Sequence, residues 1–533
     1  MKLKEPKEWR LIGKRIARLD IPDSVTGKTV FGIDVKLPGM VYAAIAQCPV
    51  FKGKLKNVDP APAMGRRGVQ QVLTFDDFVA VIADNWWRAQ QALAQLKIEW
   101  DDGGNGAVSS ASISALLKSG LDDPKAQVAR EEGDVAKAFA GAAKVIEGEY
   151  FTPFLAHSPM EPMNCTALLK GDRLDVWVST QNAEAALAAA SEASGLPLAN
   201  VEVHKTQLGG GFGRRGTQDF VTLAVKVAGK LPGTPVKVLW SREEDIQHDF
   251  YRPVAMVRQK AALDGAGNLI AWQARVSSQS IAARARPDMK GIDPQAVILY
   301  SDSPYSVPNF LVDYAMRNTH VPVGAWRSVA HSQNPFIREC FIDEIAHAGG
   351  KDPYAMRREL LDKAPKYLGV LDACAKAADW DKPLPAGVHR GIAVVDGYGS
   401  YAAAVFEISV DDKKRLGIKR VIVAVDPGYV VNPDSAEAQI ESCVTYGLSA
   451  VLFGEITLKD GRVEQANFND YPAMLLRDMP KVVPVLAPSG GFWGGMGEPP
   501  LTPLAPALCN AIFAATGERI RSLPLKNHGY TLA

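Results

Sequence analysis

The chain has 533 residues, 47% of them apolar and 22% charged, with a formal net charge of +1. That is enough for roughly two to four globular domains, and it excludes a disordered chain. Acids and bases are interspersed, so no basic stripe points to nucleic acid, and no apolar run reaches membrane-spanning length. The opening Met1–Glu8 lacks the apolar core of a signal peptide, so the expected compartment is the cytoplasm, or the periplasm if a partner carries an export signal. Six cysteines (Cys48, Cys165, Cys340, Cys374, Cys443 and Cys509) form no Cys-x-x-Cys, and eight histidines show no metal spacing. This chain is therefore expected to supply no metal ligand and no iron–sulfur ligation of its own.

In chain order, an α+β pattern opens with β-like stretches at Thr29–Val35 and Val41–Ala46 and a strand at Phe78–Ala83. A helix over Trp86–Leu96 and a strand at Lys97–Trp100 follow. Asp101–Gly106 ends this module, and the polar stretch to Val145 reads as a linker, with an inserted helix pair as the alternative. The middle region, 146–375, has strands at Leu174–Ser179, Val201–His204 and Val236–Trp240. Its predicted helices are Ala183–Ser194, Thr217–Lys230 and Asn334–Ala348. The last region, 376–533, has strands at Ala402–Val410 and Arg420–Val425, a helix over Ala436–Leu452, a hairpin at Lys459–Arg462 and an apolar helix over Ala505–Gly517.

Three stretches carry chemistry. Gly209–Gly216 (Gly-Gly-Gly-Phe-Gly-Arg-Arg-Gly) joins a strand to a helix. Its backbone N–H groups and the Arg214 and Arg215 guanidiniums are predicted to cradle an anion. Gly211–Gly216 also matches a dinucleotide-binding fingerprint, although the acids Glu243 and Glu244 lie late for it. Trp326-Arg327-Ser328 places an arginine beside an aromatic, which reads either as an anion site or as a packing pair. His157 and Glu161 lie in a proline-bracketed loop and are expected to satisfy backbone groups. Gly494-Gly495-Met496-Gly497-Glu498-Pro499-Pro500 holds a single carboxylate between glycines and prolines. Pro499 should keep Glu498 out of the helical region, Pro500 should prolong an extended segment, and burial at the mouth of the following helix should suit Glu498 to general-base work.

Together these three motifs, in this order and over nearly the whole chain, resemble the molybdenum hydroxylases of the xanthine oxidase and aldehyde oxidase family. His157-Ser158-Pro159-Met160-Glu161-Pro162, Trp326-Arg327-Ser328 and the ending from Arg519 to Leu525 look most like the isoquinoline 1-oxidoreductase β-subunit branch. The resemblance implies an α/β hammerhead domain over 1–105, a linker over 106–145 and two molybdopterin-binding domains over 146–375 and 376–533. The cofactor would be molybdenum on a molybdopterin, as the cytosine dinucleotide, with no protein ligand on the metal. Carried over by motif, Gln181 would bond near the metal's oxo group, and Gly210, Gly211, Phe212, Gly213 and Arg214 would line the cofactor. Arg327, Ser328 and Gly497 would support it, and Glu498 would be the base that activates the attacking oxygen.

Departures narrow the expectation. Gly216 stands where purine-oxidising members have an acid, Trp326-Arg327-Ser328-Val329 replaces their Phe-Arg-Gly-Phe segment, and Tyr446 replaces an expected glutamine. An N-heteroaromatic or an aldehyde is the expected substrate. The two electrons released call for a separate [2Fe–2S] subunit and a cytochrome c. The family's Gly-Gln-Gly motif does not occur in the sequence, so a second chain is expected to supply that segment. Residues 391–533 should then be incomplete, with an unpaired edge or uncovered face at Val421–Val425. The competing readings are a nicotinamide-dependent dehydrogenase using Gly211–Gly216 and a truncated or non-catalytic partner subunit.

Overall fold

A computed structural model describes residues 4–533. Three sheets organise the chain. The first has seven strands in the order Val201–Lys205, Arg173–Val178, Asn164–Lys170, Val236–Leu239, Val41–Gln47, Phe78–Ala83 and Val69–Thr74. Phe78–Ala83 is apolar throughout because both its faces are buried. Phe78, Ala80 and Ile82 join the core under helices Ala183–Ser194 and Asp219–Gly229, while Val79, Val81 and Ala83 pack against helix Trp86–Leu93.

The second sheet runs Gln127–Glu132, Phe310–Met316, Leu269–Ser278, Ala255–Leu263 and Lys144–Thr152. The third runs His389–Gly397, Ser400–Val410, Arg415–Asp426 and Lys481–Leu486. One continuous core joins these two through helices Asn334–Ala348 and Leu504–Thr516. The second helix lies so close to its sheet that a Cβ at Gly391 would overlap the backbone of Ala507 and Ala511. Gly517, left-handed at φ 75°, terminates it.

A charged knot lies within this core. Glu339 accepts from Arg338 Nε at 3.0 Å, Arg357 Nε at 2.9 Å and the Tyr305 hydroxyl at 2.9 Å, and the three charged side chains are fully buried. Removing the carboxylate strands two guanidiniums away from water. Glu339→Ala is therefore expected to cost about 3–5 kcal/mol in denaturant unfolding, far more than breaking the exposed Asp411–Arg415 pair.

Several expectations need correction. Thr29–Val35 is not a strand but a loop with a 3-10 turn at Gly32–Asp34, pinned where the Gly32 and Ile33 amides donate to Ser179 Oγ and Glu161. Residues 106–145 are not a bare linker. They hold helix Ser110–Leu121, strand Gln127–Glu132 and helix Val135–Ala140, and the strand pairs with Phe310–Met316. The N-terminal strands do not stand apart either, since Val41 pairs in parallel with Val236. Val421–Val425 has no unpaired edge, because its strand lies between Ser400–Val410 and Lys481–Leu486 and is buried. The edges of that sheet are His389–Gly397 and Lys481–Leu486, and the second is interrupted by Pro484, which cannot donate to a further strand.

Candidate active site

The glycine-rich loop leaves the edge strand Val201–Lys205 and enters helix Asp219–Gly229. Its glycines serve the protein's own packing. A Cβ at Gly213, where φ is 111°, would overlap the Ala325 carbonyl oxygen, and one at Gly211 would meet Gln181 Oε1 at 2.6 Å. Phe212 is itself held left-handed, at φ 55°.

The expected guanidinium cradle is not formed. Arg214 is buried, forks onto Asp219 with two bonds of 2.7 Å and ion-pairs with Asp249 at 3.1 Å. Arg215 is buried against Glu161 at 3.0 Å and against backbone carbonyls. The helix's first turn thus already carries its own carboxylate, Asp219, and neither arginine is free to meet an anion. The same packing removes the dinucleotide reading, because the closest backbone approach in the loop is taken by Ala325.

Glu161 accepts from the amides of Ile33 and Gly209, from Asn164 and from Arg215. His157 Nδ1 lies 2.9 Å from both Asp249 oxygens, and Nε2 bonds the Ala325 carbonyl at 3.1 Å. Burial works against the charge of Asp249, but His157 and Arg214 outweigh it and hold that carboxyl below its usual range. These residues fix the two loops against each other.

Across from this loop, Trp326 to Val329 turn through two consecutive left-handed residues, Ser328 at φ 76° and Val329 at φ 47°. For a β-branched residue that conformation is strained, and the bonds around it explain how it persists. Arg327 Nε donates to the Gly497 carbonyl at 2.8 Å, Nη1 to Ser442 Oγ at 3.0 Å and Nη2 to Gln439 Oε1 at 3.2 Å. The Ser328 amide donates to Glu498 Oε1 at 2.8 Å, and its hydroxyl to the Glu498 carbonyl at 3.0 Å. Trp326 stacks on Tyr446 at 4.7 Å, and Tyr446 on Phe212 at 4.3 Å. The stack is a rigid wall, and the Tyr446 hydroxyl donates to the His157 carbonyl at 2.8 Å.

Glu498 lies half-buried at the mouth of the following helix. Its φ of −129° and ψ of −43° keep it out of a helix, but Pro499–Leu501 turn at once into a 3-10 helix where an extended segment was expected. The carboxylate reaches a cavity of about 580 Å³ that Gln181, Phe212, Gly213, Gly216, Arg327 and Gly497 also line. The structure therefore brings six of the nominated residues and Gly216 to one space, with Glu498 its sole carboxylate and Arg327 its sole guanidinium. Gly210, Gly211, Arg214 and Ser328 lie behind it and support the wall. Gln181 Oε1 accepts from the Gly213 amide at 3.0 Å, leaving its NH2 for the cavity, and Arg327 has two further N–H groups beyond those bonded.

Sequence reading missed Gln439, Ser442 and Tyr398 as cavity residues. A signal existed for the first two: Gln439, Ser442 and Tyr446 recur at helical spacing on Pro433–Leu452, so one face holds Arg327 and carries the stack. Tyr398 sits left-handed, at φ 53°, in the tight turn before Ser400–Val410. Burial and the Glu498 charge both push its phenol pKa up.

Comparisons with known proteins identify the family. Models described as molybdopterin cofactor-binding domains match residues 121–361 and 372–480. The chain is 31% identical to the membrane-bound aldehyde dehydrogenase [pyrroloquinoline-quinone] of Gluconacetobacter polyoxogenes, over 98% of this chain and 73% of that protein. It is 29% identical to isoquinoline 1-oxidoreductase subunit beta of Brevundimonas diminuta, over 98% and 69%. The solved quinoline 2-oxidoreductase of Pseudomonas putida 86 shares the fold with a TM-score of 0.82 at 15% identity, covering 97% of each chain. The chain belongs to the molybdenum hydroxylases, as a molybdopterin-binding catalytic subunit. Its cavity fits such a cofactor: the Gln181 amide and the spare Arg327 donors, beside the rigid Phe212 wall, would suit a group rich in acceptor oxygens. Among the described residues no three His, Cys, Asp or Glu side chains cluster as metal ligands, and no helix is long and apolar enough to cross a membrane.

Proposed function

We propose that this subunit hydroxylates an N-heteroaromatic compound or an aldehyde with oxygen from water. One observation carries the reading: Glu498 opens onto the same cavity as Gln181, Phe212 and Arg327. The molybdopterin, as the cytosine dinucleotide, supplies two-electron oxidation. Ser328 fixes Glu498 Oε1 through its amide, which leaves Oε2 to take the proton of the attacking oxygen. Gln181 and Arg327 would hold the cofactor through their free N–H donors, and Phe212, backed by the Tyr446 ring, would wall it. Gly210, Gly211, Arg214, Ser328 and Gly497 act by holding those groups. The relatives named for isoquinoline and for aldehyde support the substrate class, as does Gly216, which puts no acid where a hydroxypurine would need one.

A separate [2Fe–2S] subunit, with a cytochrome c beyond it, takes the electrons. The relative named as a β subunit supports partners of this kind. So does the exposure of Leu19 (97%), Leu476 (91%) and Val25 (77%). The domain plan of a hammerhead unit and two cofactor-binding units belongs to the same reading. The enzyme works in the cytoplasm, or in the periplasm where a partner carries the export signal.

Protein isolated from its native host with whatever co-purifies is expected to contain molybdenum, to release a cytosine nucleotide on acid hydrolysis and to carry an iron–sulfur subunit. Turnover in isotopically labelled water should place the label in the product. An active preparation without molybdenum would overturn the reading.

A further inference from the structure

Tyr398 does not suit the turn it occupies. Gly397 pairs with Ser400, so Tyr398 and Gly399 are the two central residues of a tight hairpin, left-handed at φ 53° and 75°. Such a turn favours asparagine, aspartate or glycine, and a bulky aromatic residue in that conformation is strained. Packing gives the ring little in return, since Tyr398 is 42% exposed. The surrounding bonds impose the conformation. The Gly495 amide donates to the Tyr398 carbonyl at 2.9 Å, and Ser400 Oγ donates to the Gly495 carbonyl at 2.6 Å. The turn is thus stapled to the loop that carries Glu498, and the buried His331 ring backs the phenol ring at 5.5 Å. Strain held in place by its neighbours and facing a catalytic cavity points to a use for the side chain.

The hydroxyl also differs from the polar groups around it. Gln181, Arg327, Gln439, Ser442 and Glu498 line the same cavity, and each makes at least one hydrogen bond within the protein. Among the described residues the Tyr398 hydroxyl has no such partner. Burial and the Glu498 charge raise its pKa, so the phenol keeps its proton and stays a donor.

Both expected substrate classes need a donor in this cavity. Attack by oxygen on an aldehyde carbon, or on a ring carbon beside nitrogen, pushes electron density onto the neighbouring heteroatom. A fixed donor at that heteroatom stabilises the charge as it develops. We propose that the Tyr398 hydroxyl is this donor, bonding the substrate's ring nitrogen or carbonyl oxygen while Glu498 serves the attacking oxygen. The phenol keeps its proton throughout, and a strengthening hydrogen bond is its whole contribution. The assignment rests on the proposed function and adds the group that reads the substrate's heteroatom.

The test compares Tyr398→Phe with the parent holoenzyme at equal molybdenum content. Phenylalanine keeps the ring and removes the hydroxyl. With whichever of quinoline and benzaldehyde the parent oxidises, kcat is expected to fall about 10- to 100-fold while KM stays within about threefold. A second readout needs no turnover: equilibrium dialysis of the dithionite-reduced holoenzyme against quinoline and against naphthalene, which has no nitrogen. Tyr398→Phe should bind quinoline about fivefold more weakly and naphthalene as tightly as the parent does. A fall in kcat of less than about threefold overturns the inference. So does an equal loss of affinity for both ligands, which would make Tyr398 a wall and not a donor. A parent that oxidises neither probe counts against the proposed function, and dialysis then decides the role of Tyr398 alone. In that case, quinoline binding that is absent or the same in both proteins overturns it.

Discussion

Replacing Glu498 by glutamine is expected to leave folding and molybdenum content intact while lowering kcat by about 10²- to 10⁴-fold. The amide is nearly isosteric, and its oxygen can still accept from the Ser328 amide, now 2.8 Å from Glu498 Oε1. The reciprocal bond from the Ser328 hydroxyl to the residue 498 carbonyl is untouched, so the loop keeps its place. What is lost is the capacity to take a proton, and no other carboxylate lines the cavity to replace it. Turnover and metal content measured on the same preparation decide the matter. A variant with full metal that keeps more than about a tenth of the activity removes Glu498 from the role of base.

Gly213→Ala is expected to have the larger structural effect. The new Cβ would overlap the Ala325 carbonyl, and φ at this position is 111°, a region that L side chains rarely adopt. Ala325 cannot simply withdraw, because its carbonyl is bonded by His157, which is held in turn by buried Asp249. The strain must therefore pass to the glycine-rich loop, breaking the bond from the Gly213 amide to Gln181. A loss of about 3 kcal/mol or more in unfolding free energy is expected, with loss of bound molybdenum. Gly216→Ala, three residues on, is the control. Its Cβ meets nothing within 4 Å, so its stability should stay within about 0.5 kcal/mol of the parent. If the two substitutions behaved alike, the close approach at Gly213 would have no energetic meaning.

Much of the local structure could be read from the sequence. Helix Ala183–Ser194 falls where the Asn182 cap and Gly195 place it, and Asn334–Ala348 runs from a proline in its first turn to Gly349, because helical signals are local. The three motifs also converge on one cavity, as the family resemblance implied. Other features could not be read. Arg214 and Arg215 looked like ligand donors, since their partners Asp249 and Glu161 lie far along the chain and only folding brings them together. The strand at Val41–Gln47 gives no sign that its parallel neighbour is Val236–Leu239, because register across distant segments leaves no short-range pattern. Thr29–Val35 failed for a related reason: its apolar residues suggested a ladder, but Glu161 and Ser179 take its amides instead.

Gly216 has a consequence for how this enzyme can diversify. It is exposed on the catalytic cavity, its backbone needs no left-handed conformation, and the space beside its α-carbon is empty. The bonds that hold Glu498, Gln181 and Arg327 do not pass through it. A single codon change there can add a charge, a hydroxyl or bulk to the wall that faces the substrate without disturbing the residues that do the chemistry. Substrate range and catalytic competence are thus separable traits in this fold, and selection can move the first while the second stands still.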